Sequence, residues 1–103
     1  MSVIMRIIQQ FDPACEEKFM ALERQFDQLE KKEPDLPKGK RMQPFAAEEP
    51  VNTLIWQCEF PDMETACEAL DRFKENETHE LLFAQQAPYI RQVKIEFYKS
   101  LDC

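Results

Sequence analysis

Residues 51–60, VNTLIWQCEF, decide how this chain folds. Side chains alternate along an extended strand, so Leu54, Trp56, Cys58 and Phe60 share one face and Thr53, Ile55, Gln57 and Glu59 the other. The first face is apolar and calls for a core. The second is neither plainly solvated nor plainly buried, and what covers it bears on function.

Toward the C-terminus, Pro61-Asp62 opens a helix with Met63, Ala66, Cys67, Leu70 and Phe73 on one face. KENET, residues 74–78, interrupts it, and a further helical segment over about 78–87 ends at Pro88. YIRQVKIEFY, residues 89–98, alternates again, with Val93, Ile95 and Phe97 against Gln92, Lys94, Glu96 and Tyr98.

Toward the N-terminus, residues 2–11 read as a strand that runs into a helix start. Asp12 is suited to the N-cap and Pro13 to the first helical position, while Glu16 and Glu17 favour the positive end of the helix dipole. Cys15, Phe19, Leu22, Phe26 and Leu29 form the apolar stripe of that helix, which must stop near Glu33 because Pro34 follows. PDLPKGK is a loop with the single glycine, Gly39. KRMQPF is a short edge strand, since Pro44 removes a ladder donor.

The resulting order is β-α-β-β-α-β, with both helices on one face of a four-stranded antiparallel sheet. The other face then carries Ile4, Arg6 and Ile8, with Thr53, Ile55 and Glu59, and with Ile90, Lys94, Glu96 and Tyr98. Isoleucines set among complementary charges suit a second copy of the chain packed sheet to sheet, so a homodimer is expected.

Composition narrows the partners. A chain of 103 residues is expected to form one domain, 1–103, with enough core to fold without staples. Lys+Arg of 13 against Asp+Glu of 20 gives a net charge of −7, which disfavours nucleic acid and anionic membrane surfaces. No stretch approaches the roughly 20 apolar residues of a span. The opening MSVIMRIIQQF is interrupted by Arg6 and has no cleavage site, so a cytoplasmic location is expected. Cys15, Cys58, Cys67 and Cys103 contain no C-x-x-C pair; the first three read as small buried thiols and the last as an exposed terminal one. No metal site or cofactor is called for. One glycine permits neither a P-loop nor a dinucleotide fingerprint, and HE at 79–80 is not HExxH, because position 83 is Phe.

NTLIWQCEFPDMETACEALDRF, residues 52–73, together with the closing APYIRQVKIEFY, resembles the dimeric α/β-barrel superfamily, which includes NIPSNAP-like proteins and antibiotic-biosynthesis-type monooxygenases. The resemblance implies an α+β, ferredoxin-like fold over the whole chain, paired as a dimeric α/β barrel. It also implies a pocket between sheet and helices, lined by Asn52 and Trp56, as in the cofactor-free monooxygenases of that superfamily. The haem-degrading branch places an iron-binding His early in the second helix; Ala66 and Cys67 stand there in this sequence, which argues against haem.

Candidate site residues are therefore Asn52, Trp56 and the lone His79 for catalysis, with Trp56, Asn52, Arg6 and Glu59 for ligand binding. Each has an ordinary structural alternative: a core Trp56, an Asn52 that caps the strand's start, a helix-terminal His79 and interfacial ion pairs for Arg6 and Glu59. Lys38, Gly39, Lys40 and Arg41 form a basic cluster suited to an anion or to a solvated turn. Two functions follow: a homodimer that binds or transforms a small, aromatic molecule, or a non-catalytic dimeric structural or regulatory protein. An open cavity beside Trp56 favours the first, and a filled one the second.

Overall fold

Punctuating residues set the element boundaries in the computed structural model, which describes residues 2–101. Strand β1 (Val3–Phe11) ends at Asp12, whose carboxylate accepts from the Ala14 amide at 3.0 Å and caps a 3-10 turn, Pro13–Cys15. Helix α1 (Glu16–Lys32) continues from it, with Glu16 and Glu17 in its first turn and Lys31 and Lys32 in its last, both matched to the helix dipole. It stops at Glu33, extended before Pro34. Helix α2 (Met63–Glu75) is capped by Asp62, which accepts from both the amide and the hydroxyl of Thr65 at 2.7 Å. Asn76 leaves the helical conformation, ends α2 and accepts from the His79 amide at 2.9 Å to start α3 (Glu77–Gln86). One residue thus makes the corner on which His79 stands.

Strands β2 (Lys40–Met42), β3 (Thr53–Phe60) and β4 (Ile90–Lys99) join β1 in one antiparallel sheet of order β2-β3-β1-β4. This is the α+β, ferredoxin-like arrangement, with the sheet open. β2 is the short edge strand, and Pro44 lies just beyond it. Met5 and Trp56 from the sheet pack with Phe26 of α1, Phe73 of α2 and Leu82 of α3, so all three helices cover the same face. A second cluster, Phe11, Phe19 and Leu54, closes the end where β1 turns into α1.

Several expectations need correction. Cys15 and Cys58 are only partly buried. Cys67 is exposed, because the buried stripe of α2 runs through Ala66, Ala69 and Phe73, a step round the helix from 67. Ile90 belongs to the helix side. A register shift between Gln10 and Phe11 pairs Gln10 with Gln92 but Phe11 with Ile90, which turns Ile90 onto Phe11 and Leu54. Ile8 and Thr53 sit on the open face yet are buried within the chain, at 6% and 0% exposure. The segment between β2 and β3 returns across that end of the face: Glu49 reaches Lys94, the register partner of Ile8, at 2.6 Å. Cys103 lies outside the described residues.

Candidate functional site

The helices cover β1 and β3 but leave β4 bare. Val93 and Ile95 therefore point to the helix side while remaining 44% and 47% exposed. Between them and the α2–α3 corner lies a cleft of about 410 Å³. Ile7, Val93 and Ile95 form the sheet wall, Phe73, His79 and Phe83 the helical wall, and Trp56 the floor. A mostly apolar concavity with a few polar groups is the usual form of a small-molecule site.

Behind the floor lies a buried charge network. The Arg41 guanidinium, carried in by β2, donates from Nε to Glu23 at 2.7 Å and from both terminal nitrogens to Glu30 at 2.7 and 3.1 Å. One of those nitrogens also reaches Asp27 at 3.4 Å. Glu30 accepts further from the Trp56 indole N–H and from the Gly39 amide, each at 3.2 Å. The Gln86 side-chain amide donates to the second Glu23 oxygen at 2.9 Å. Burial alone lowers the Arg41 pKa, but its bonds to Glu30 and Glu23 outweigh that and raise it. Partial burial, with Glu30 nearby, pushes the Cys58 thiol up and favours its protonated form.

His79 is held by aromatic rings. It stacks on Phe73 with centroids 4.7 Å apart and tilts against Phe26 at 5.0 Å. Phe73 in turn meets Trp56 edge to face at 5.6 Å. Glu80 Oε1 lies 3.5 Å from His79 Nδ1, close enough for an ionic contact with a protonated ring but not aligned as a hydrogen bond, and Nδ1 is buried with no such partner. With Nδ1 walled in, Nε2 is the ring nitrogen left for a molecule in the cleft. Burial pulls the His79 pKa down, opposed by Glu80, so the imidazole is held toward its neutral, proton-accepting form.

The structure brings together two of the sequence candidates, Trp56 and His79, in this cleft. Asn52 stands at the head of β3, where its amide donates to the Phe11 carbonyl at 2.7 Å and its own carbonyl accepts from the Phe11 amide. Arg6 and Glu59 lie on the opposite face of the sheet. Arg6 donates to Gln57 at 2.8 Å and covers the Tyr98 ring, and Glu59 accepts from the Ser2 hydroxyl. Of the basic cluster, Arg41 is turned inward onto carboxylates. Sequence reasoning missed Glu23 and Glu30. The available signal was their spacing, each four residues after a phenylalanine of the α1 stripe, at Phe19 and Phe26.

No protein-family model matches this sequence, and no curated protein does. Solved structures do. A NIPSNAP family protein from Agrobacterium tumefaciens superposes with a TM-score of 0.76 at 13% identity, over 98% of this chain and 87% of that one. A NIPSNAP-like domain protein from Burkholderia xenovorans gives 0.80 at 12%, over 97% and 85%. A candidate antibiotic biosynthesis monooxygenase from Nitrosomonas europaea gives 0.70 at 15%, over 97% and 90%. The chain has the fold of these proteins. At such identities the likeness speaks for the fold, and function must be argued from the cleft.

Among the described residues no group of three or more His, Cys, Asp or Glu side chains is arranged to hold a metal ion, and no helix is long and apolar enough to cross a membrane.

Proposed function

We propose that this protein binds a small, hydrophobic, aromatic molecule in the cleft between β4 and the α2–α3 corner, with His79 as the group that exchanges a proton with it. The observation that carries this reading is an open apolar cleft of about 410 Å³ with an imidazole in its wall. Burial lowers the pKa of that imidazole, which keeps it in the neutral, proton-accepting form inside an apolar wall. One structural neighbour is named as a candidate antibiotic biosynthesis monooxygenase, and oxygenation of an aromatic guest is the enzymatic form of the proposal. The working unit is a homodimer formed through the open sheet face, where Ile4 and Ile55 are only partly covered and Tyr98 is exposed. The described cysteines, 15, 58 and 67, are unpaired, in keeping with a reducing cytoplasm.

A non-catalytic dimer is the second reading. It is favoured by Trp56, which is 5% exposed and spends its indole N–H on Glu30, as a core residue does. Trp56 is the sole tryptophan, so its fluorescence reports on the cleft floor. Titration with aromatic alcohols and quinols is expected to quench it saturably, and Val93→Glu, at an exposed wall position, to abolish the saturation without unfolding the protein. If nothing in the panel saturates the signal, the second reading holds.

A further inference from the structure

Resting on the cleft proposed above, we infer that its guest carries a positively charged nitrogen, as a hydrophobic amine does, and that carboxylate guests are rejected. The charge balance of the deep wall leads there. Glu23 and Glu30 are both buried, and among the described residues Arg41 is the one cation paired with them. Their formal charges leave one negative charge uncompensated behind the floor; Asp27 at the edge is paired with Lys31 at 2.9 Å and leaves that balance unchanged.

Arg41 lines the cleft and on composition alone would be the natural receiver of an anion. The geometry denies it that role. Four of its N–H···O contacts are already made to Glu23, Glu30 and Asp27. An anionic guest would have to displace a buried carboxylate to reach the guanidinium, which would leave that carboxylate unpaired. Trp56 and Gln86 likewise spend their N–H groups on Glu30 and Glu23.

What the cleft leaves free are acceptors and aromatic surfaces. His79 in its neutral form offers a ring nitrogen, and Glu80 beside it holds a half-exposed carboxylate at the rim. Phe83, exposed on the same wall, presents its ring, and the stacked Phe73 backs His79. A protonated amine finds there a counter-ion, an acceptor and ring faces that attract cations. Lys74 at the rim is the one lining cation outside the network, and it is exposed.

Naphthylmethylamine, naphthylmethanol and naphthylacetate share a ring system and differ in charge. Isothermal titration calorimetry with the three is expected to rank amine above alcohol above acid, with the amine about threefold to tenfold tighter than the alcohol, the advantage of one partly exposed ion pair with a ring contact. Glu80→Gln should remove that advantage and leave the alcohol unchanged; Glu80 is half-exposed, so the fold does not depend on it. Equal affinities, or an acid that binds tightest through Lys74, would overturn the charge inference while the cleft still stands as a binding site. Absence of binding by all three would overturn both.

Discussion

The indole of Trp56 lies directly on the backbone of Gly39. A Cβ built at residue 39 would fall 1.9 Å from the indole Nε1 and 2.0 Å from Cε2. No real contact is so short, so the single glycine of this chain is needed for close approach rather than for its backbone angle; no residue in the described chain has positive φ. Gly39→Ala is expected to destabilise by about 1–3 kcal/mol, the usual cost of overpacking. It should also break the Trp56–Glu30 hydrogen bond and shift the tryptophan emission. An urea melt together with the native emission spectrum checks both; a variant with wild-type emission and midpoint would show that the indole is free to move.

Arg41 ties the edge strand β2 to helix α1 through Glu23 and Glu30. Arg41→Ala leaves two buried carboxylates facing each other with no cation, and a loss of about 3–5 kcal/mol is expected. Arg41→Lys keeps the charge but cannot fork onto both carboxylates, so it should recover only part of that loss. The paired denaturation curves measure the difference. Full recovery by lysine would mean that charge alone matters and the fork does not.

The elements of this fold were legible because prolines and caps punctuate the chain. Asp12-Pro13, Pro34, Pro61-Asp62 and Asn76 each mark a boundary that the backbone obeys. The parity of Trp56 followed from strand alternation. The polar floor of the cleft did not follow, because Glu23 and Glu30 look like the solvated flank of an amphipathic helix until Arg41 arrives from a strand distant in sequence. No local pattern carries that pairing. The burial of Ile8 is illegible for the same reason: at that end of the face Glu49, from a connecting segment without periodicity, reaches Lys94 beside it. Ile90 is turned to the helix side by a bulge, which one sequence does not reveal.

His79 makes stability depend on pH. Burial lowers its pKa in the folded protein below the ordinary value of 6.5, so the unfolded chain takes up the proton first. Its contribution to stability is therefore complete above 6.5 and is lost as pH falls from 6.5 to the folded-state value, below which the curve levels. His79→Leu should flatten that stretch of the stability-against-pH profile while preserving the contacts with Phe26 and Phe73. Urea midpoints on both sides of 6.5 test this. An unchanged slope in the variant would assign the dependence to the carboxylates.

Ile55 carries the argument for the dimer. It is paired with Ile8 across the sheet, but Ile8 is already buried within the chain, so Ile4, Ile55 and the exposed Tyr98 are what a second copy would cover. Around them Arg6 is held by Gln57 and lies over Tyr98, so the polar groups of this face are oriented before any partner arrives. Ile55→Lys places a charge at the centre of the proposed contact. An unpaired charge buried there costs several kcal/mol, enough to split a dimer at micromolar concentration. Because Ile55 lies away from the helix-side core, the variant should keep its fold and its cleft. Light scattering is expected to report twice the chain mass for the native protein and the single-chain mass for the variant, with matching circular dichroism. A native protein that scatters as a single chain would remove the dimer and leave the cleft to act alone.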